Sequence, residues 1–394
     1  MTTLIFILLV FEVLSFLAIR DHYLKRSKII YYVIIFIHFI LSALMLFFMI
    51  KVISYKGFAD NPRFINDQLI LTGLLIGVLI PRSILSLTHF TGKIIRRKEG
   101  GYIGWLTNAG IILSVMIFLI IGYGSLIGRF NFKTEEVTVK IKDLDPSLDG
   151  IIIAHLSDLH LASFHNHAGL LDDAIKKVAG YGPDLIINTG DFITIGMREF
   201  GRFDTILSRY RGSYGNYAVL GNHDMGTYLP GDAAEEKRKT PSGMTGLITG
   251  SGYKLLNDEN VIIDIKGVKV AIIGVQTGGS HPGIIHGDLM KAFSGTDSAD
   301  FKILLCHDPN QWDIDVAGKT DIQLSLAGHT HGMQIGIITK KLRWSPANRY
   351  YPQWNGLYSE GEQFLYVNRG LGVLGVPFRI WMPPELTIIT LRSI

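Results

Sequence analysis

Cysteine is nearly absent from this chain of 394 residues: Cys306 is the only one. An intramolecular disulfide and a Cys-rich zinc module are therefore both excluded. Charge is scarce as well, at 18% Asp, Glu, Lys and Arg against 48% hydrophobic residues. That composition is too apolar for a disordered chain and poor in charge for a soluble one. No collagen-like or low-complexity repeat is present. The last two thirds lack any basic excess. Residues 1–128 hold 12 Lys and Arg against 5 Asp and Glu, whereas residues 129–394 hold 26 against 29. This argues against nucleic acid as a partner, and the early basic residues read as flanks of membrane segments.

Four apolar stretches fill residues 1–128: Thr2–Ile19, Ile29–Ile50, Gln68–Phe90 and a stretch within Gly100–Gly128. A spanning helix needs about 20 apolar residues, so the expectation is a four-helix transmembrane bundle. The first stretch has no basic residue at its start and no small-x-small site after it, unlike a cleaved signal peptide. Arg20, Lys25, Arg26 and Lys28 cluster in the first loop, and Lys93, Arg96, Arg97 and Lys98 in the third. The positive-inside rule makes those loops cytoplasmic and puts everything after the fourth helix outside the cytoplasm, at the cell membrane. Glu12 and Arg82 are charges within the spans. They read as an interhelical ion pair, with a lipid-phosphate contact or separate snorkelling as the alternatives.

Residues 129–394 read as an α/β domain. Val137–Ile141 alternates apolar and polar residues, as a half-buried strand does. Ile151–Leu156, Leu185–Asn188, Tyr217–Leu220, Ile303–Leu305 and Ile322–Leu326 are short continuous apolar runs, suited to strands covered on both faces. Leu170–Ala179 has helical spacing, with Gly180 as its terminator. Val261–Ile265 and Val268–Gly274 flank Lys266-Gly267 as a hairpin. Asp232–Lys239 is charged, a solvated loop by default and a lid as the alternative.

Each of the five runs leads into metal-ligand residue types: Asp158-Leu159-His160, Gly190-Asp191, Gly221-Asn222-His223-Asp224, His307, and Gly328-His329-Thr330-His331. Ligands of α/β sheets gather at carboxyl ends of strands. Asp158/His160 and His329/His331 are two residues apart, which in extended backbone puts both side chains on one side. Imidazole, carboxylate and amide without thiolate suit Mn²⁺, Fe or Zn²⁺. A carboxylate shared between two such sets can bridge two divalent ions.

In that order these blocks resemble the calcineurin-like metallophosphoesterase superfamily, over roughly residues 135–394, and its membrane-associated bacterial branch in particular. The resemblance implies an αββα four-layer sandwich. It implies one ion on Asp158, His160, Asp191 and His331, and a second on Asp191, Asn222, His307 and His329. His223 takes the place of the catalytic histidine. The implied reaction is hydrolysis of a phosphodiester or pyrophosphate bond by a metal-bridging hydroxide. Many relatives carry an Asp three residues after the Gly-Asp carboxylate, pairing with the catalytic histidine; Thr194 stands there in this chain. Four helices exceed what an anchor needs, so a lipid or lipid-linked phosphate is the expected substrate. The rival readings are a non-catalytic metal-binding scaffold or sensor, and a transporter with a regulatory domain. His155, His165, His167, His281 and His286 match no block and read as packing residues. The alternatives are the cleft rim for His165 and His167, and substrate contact for His281 and His286.

Overall fold

The computed structural model of the chain describes residues 2–280, 283–339 and 341–394. Two compact units emerge. One comprises the residues up to Lys56, Asp67–Ile127 and Gly375–Phe378; the other comprises Gly57–Asn66, Gly128–Leu374 and Arg379–Ile394.

The first unit carries the helices α1 (Thr2–Tyr23), α2 (Lys28–Ile53), α3 (Pro62–Ile95) and α4 (Gly104–Leu126), although the first turn of α3 groups with the second unit. Among the described residues three stretches are long and apolar enough to cross a membrane: α2, α3 and Gly104–Phe130, which contains α4. Pro81 lies inside α3, and its carbonyl accepts from Ser114 Oγ of α4 at 2.7 Å. Arg82 is buried and pairs with Glu12. It also donates to the His38 carbonyl at 2.8 Å and to Ser42 Oγ at 2.7 Å. His38 Nε2 in turn lies 2.9 Å from Glu12 Oε1. Pairing and hydrogen bonding of this kind are what a charge among apolar helices requires.

The second unit is a sandwich of two six-stranded sheets. One runs in the order β1 (Lys133–Ile141), β16 (Glu385–Ser393), β2 (Ile152–Leu156), β3 (Leu185–Asn188), β4 (Asn216–Ala218), β5 (Lys254–Leu255). The other runs β14 (Gly356–Glu360), β15 (Gln363–Val367), β11 (Leu324–Ala327), β10 (Phe301–Leu305), β7 (Val268–Gly274), β6 (Glu259–Ile265). β2, β3 and β4 are mutually parallel, and so are β7, β10, β11 and β15. Two small hairpins stand apart: β8 (Thr277–Ser280) with β9 (Gly283–His286), and β12 (Ile337–Ile338) with β13 (Arg343–Trp344).

Alternation along the strands builds the layers. In β3, Leu185 and Ile187 enter the core between the sheets, where Ile303 and Leu305 of β10 also lie. Ile186 points the other way, into a core shared with Leu171 and Ile175 of the helix Ala168–Ala179. Leu304 and Cys306 point into a third core with Trp312 and Val316. Strands covered on both faces explain the continuous apolar runs.

The hairpin around Lys266-Gly267 is present, with φ of 54° and 88° at its tip, as a tight turn between twisted strands demands. One local expectation needs correction. Asp232–Lys239 is mostly not loop: a helix runs Ala234–Gly250, with Glu235 and Glu236 in its first turn where the helix dipole favours them. Gly180 does terminate its helix, as the C-cap after Ala179; it is right-handed at φ −63°, and Gly182, at +62°, takes the left-handed position that follows.

Candidate metal centre

β2, β3, β4, β10 and β11 deliver the candidate residues from two different sheets. Past the last paired residue the chain turns sharply. Asp158, His160, Asp191, His329 and His331 all sit in the left-handed region, with φ between 41° and 70°. Non-glycine residues adopt this region rarely, and strain held this way clusters at functional sites. The extended-backbone argument for the two x-spaced pairs therefore fails in its geometry. Asp158 and His160 do reach one place, but His329 and His331 diverge to different groups.

Asp158, His160 and His331 form one group, and Asp191, His307 and His329 the other; within each, the ligand atoms lie within 4.8 Å of one another. His160 Nε2 and His331 Nε2 face each other at 3.1 Å, and His307 Nε2 faces His329 Nδ1 at 3.1 Å. Asp191 Oδ2 lies 3.1 Å from His307 Nε2 and 3.8 Å from His160 Nε2, so a single oxygen addresses both groups. Asn222 Oδ1 is buried and has no hydrogen-bond partner among the described residues. Its amide nitrogen donates to Tyr228 Oη at 3.0 Å.

Outer partners orient the rings. His307 Nδ1 lies 2.7 Å from the Thr189 carbonyl, which can only accept, so Nδ1 carries a proton and Nε2 is turned toward the group. His329 Nε2 meets Tyr351 Oη at 2.8 Å, leaving Nδ1 inward. His160 Nδ1 lies 3.3 Å from Thr194 Oγ1. Arg379, fully buried, puts Nη2 3.2 Å from His331 Nδ1. Burial pushes the Asp158 and Asp191 carboxyls up, but neighbouring imidazoles, led by His331 and His307 respectively, outweigh it and hold both below the usual carboxylate range. Burial alone would pull His307 down; the Asp191 and Asp158 carboxylates overcome it and push His307 up to about 10. Positive charge is thus favoured at this point. Two buried carboxylates, ring nitrogens turned inward and a buried amide oxygen are ligand types that divalent cations take up, with release of the protons the inward nitrogens carry.

His223 is adjacent. Its backbone N–H donates to Asp191 Oδ1 at 2.9 Å, and its Nδ1 lies 2.6 Å from the Thr194 carbonyl oxygen. Tyr228 stacks on its ring at a centroid distance of 4.0 Å. Burial lowers the imidazole, and the Asp191 carboxylate opposes that. Asp224 points away from the cleft. Its carboxylate accepts from the N–H groups of Asp191, Gly221 and Ile193 at 2.8, 3.0 and 3.2 Å, tying the Gly-Asp turn to the Gly-Asn-His-Asp turn. The two turns touch so closely that a Cβ on Gly190 would lie 2.4 Å from Gly221 N.

Of the unmatched histidines, His155 is buried against Thr189 Oγ1 at 2.9 Å, and His286 Nε2 lies 3.4 Å from Asp308 Oδ2. His281 falls outside the described residues. Tyr228, Tyr351 and Arg379 were not reachable by sequence reasoning: none belongs to a motif block, and each arrives from a loop.

Comparison with known proteins identifies the family. A sequence model of the family described as "Calcineurin-like phosphoesterase" matches residues 151–333. An uncharacterized metallophosphoesterase of Bacillus subtilis, YkuE, is 30% identical over 278 residues, covering 69% of this chain and 90% of its own. A bovine protein named "Transmembrane protein with metallophosphoesterase domain" is 27% identical, covering 71% of this chain and 62% of its own. The UDP-2,3-diacylglucosamine pyrophosphatase LpxG of Chlamydia muridarum is 26% identical, covering 61% of this chain and 84% of its own.

Proposed function

Because this chain belongs to the calcineurin-like phosphoesterase family, we propose that it is a membrane-anchored hydrolase of a phosphodiester or pyrophosphate bond in a lipid or lipid-linked substrate. The observation that carries the reading is the reach of Asp191 Oδ2 to both ligand groups, 3.1 Å from His307 and 3.8 Å from His160. Asp158, His160, Asp191 and His331 would hold one divalent ion, and Asp191, Asn222, His307 and His329 the other, with Mn, Fe or Zn as the fitting metals. When bound, the pair lowers the pKa of a shared water and neutralises phosphate oxygens. With Nδ1–H committed to the Thr194 carbonyl, His223 in its imidazolium form carries a second proton on Nε2 and gives it to the leaving oxygen as that oxygen's bond to phosphorus breaks. Tyr228, stacked on the ring, excludes water from that face.

Membrane anchoring rests on the three apolar helices, and α1 joins them as a fourth span through the Glu12–Arg82 pair. The loop charges orient the catalytic domain outside the cytoplasm at the cell membrane. An amphiphilic substrate fits an enzyme with more membrane helices than anchoring needs, and the LpxG relative is named for one.

The test is hydrolysis by the purified full chain in proteoliposomes, comparing a membrane-embedded phosphodiester with a water-soluble one across Mn²⁺, Fe²⁺ and Zn²⁺. Faster turnover of the embedded ester, abolished by Asp191→Ala, supports the reading. Metal uptake without turnover of either ester points instead to a non-catalytic scaffold.

A further inference from the structure

The segment joining α2 to α3 groups with the catalytic unit, not with the helices it connects. Its geometry leads to His223. Asn61 caps α3 by accepting from Arg63 N at 3.0 Å, and Pro62 follows at the first helical position, so residue 60 stands on a rigid mount. Asp60 is 2% exposed. Its carboxylate accepts from the Arg198 backbone N–H at 3.1 Å and from Arg198 Nη1 at 3.0 and 3.2 Å. The Arg198 guanidinium lies 3.6 Å from the centre of the Phe58 ring. Asp60 also packs on Gly196 so tightly that a Cβ there would meet Asp60 Oδ2 at 2.7 Å.

Just ahead of these two contact points in sequence lies the turn that presents the Thr194 carbonyl. Glu199, next to Arg198, clamps it by accepting from the N–H groups of Thr194 at 2.8 Å, Gly196 at 3.0 Å and Ile195. The Thr194 carbonyl then meets His223 Nδ1 at 2.6 Å. The same inter-helix segment, Gly57–Asp60, lines a cavity of about 230 Å³ with Leu229 and Pro230, which directly follow the Tyr228 that stacks on His223. The Nδ1 edge of the histidine thus leads back to Asp60 through the Thr194 turn, and the loop that carries its stacking Tyr228 borders the same inter-helix segment.

We propose that Asp60 is a positioning residue for His223, so that the proton donor is held by the segment between two membrane-spanning helices. This rests on the reading of His223 as the donor to the leaving oxygen. A displaced donor costs most where the leaving group needs a proton.

The experiment uses the full chain in detergent with Mn²⁺, and two probes: methyl p-nitrophenyl phosphate, whose leaving group departs unprotonated, and methyl phenyl phosphate, whose leaving group is more basic. Asp60→Asn is expected to lower kcat on the phenyl ester about tenfold more than on the p-nitrophenyl ester, with KM and bound Mn²⁺ per chain unchanged. In a His223→Ala background the same substitution adds nothing. An equal loss on both esters, or a further loss in that background, overturns the inference while leaving the donor role intact. If His223→Ala itself does not discriminate between the esters, the donor role fails and the inference with it.

Discussion

His223 Nδ1 lies 2.6 Å from the backbone carbonyl of Thr194, and Thr194 Oγ1 lies 3.3 Å from Nδ1 of His160. One residue thus touches the proposed proton donor through its main chain and a candidate ligand through its side chain. The partner of the His223 ring is a backbone carbonyl, not a side chain. The carbonyl survives substitution. Thr194→Ala is therefore expected to leave the leaving-group dependence of kcat as in the wild type, whereas His223→Ala lowers kcat about 10²- to 10⁴-fold with metal content retained. Steady-state kinetics on the two methyl aryl esters checks both.

The hydroxyls that support the ligands are separable by group. Thr194 Oγ1 faces His160, and Tyr351 Oη faces His329. Loss of such an outer partner costs about 10- to 100-fold in metal affinity. Thr194→Ala should weaken one of the two cations and Tyr351→Phe the other. Competition against a chelator, read as two binding steps, should show a different step displaced in each variant, and both steps displaced in the double variant.

Asp224 is a fastener whose removal should destabilise. It is fully buried. Three backbone N–H groups converge on its two oxygens. Asn offers one acceptor and turns an NH₂ group against the remaining donors. Asp224→Asn should cost about 2 kcal/mol, visible as a lower denaturant midpoint with an unchanged slope. Metal affinity should fall too, because Asp191 and Asn222 lie on the turns that Asp224 ties together.

The five strand ends were legible because both faces of their strands are buried, which makes apolar runs that stop where the ligands begin. The hairpin at Lys266-Gly267 was legible for a similar reason: a two-residue turn announces its conformation in its residue types. The left-handed backbone of Asp158, His160, Asp191, His329 and His331 carries no such mark, so the x-spacing suggested a strand where there is a turn. The Thr194 carbonyl is a main-chain group and has no residue-type signature at all. Asp60 acts on Arg198 across 138 positions of sequence, and no periodicity links the two. Arg379 is hidden by its burial, since a lone Arg in a loop reads as a solvated surface charge until its five carbonyl and imidazole neighbours are seen.

Glu199 should make stability fall as pH rises. It is fully buried, and that burial outweighs the N–H donors of Thr194, Ile195 and Gly196, raising its carboxyl from 4.5 to about 7. Below pH 4.5 the folded and unfolded chains both hold the proton. Between there and about 7 the unfolded chain has released it while the folded chain keeps it. The native state binds more protons across this window, so its stability declines with rising pH, by about 3 kcal/mol in total for a shift of this size. Other buried groups titrate as well, so the contribution is read as a difference between variants. Glu199→Gln cannot ionise, and its unfolding free energy should lack this part of the slope between pH 4.5 and 7. Parallel curves for the wild type and Glu199→Gln across that range would show that Glu199 ionises at its ordinary pH, with the three N–H donors outweighing burial.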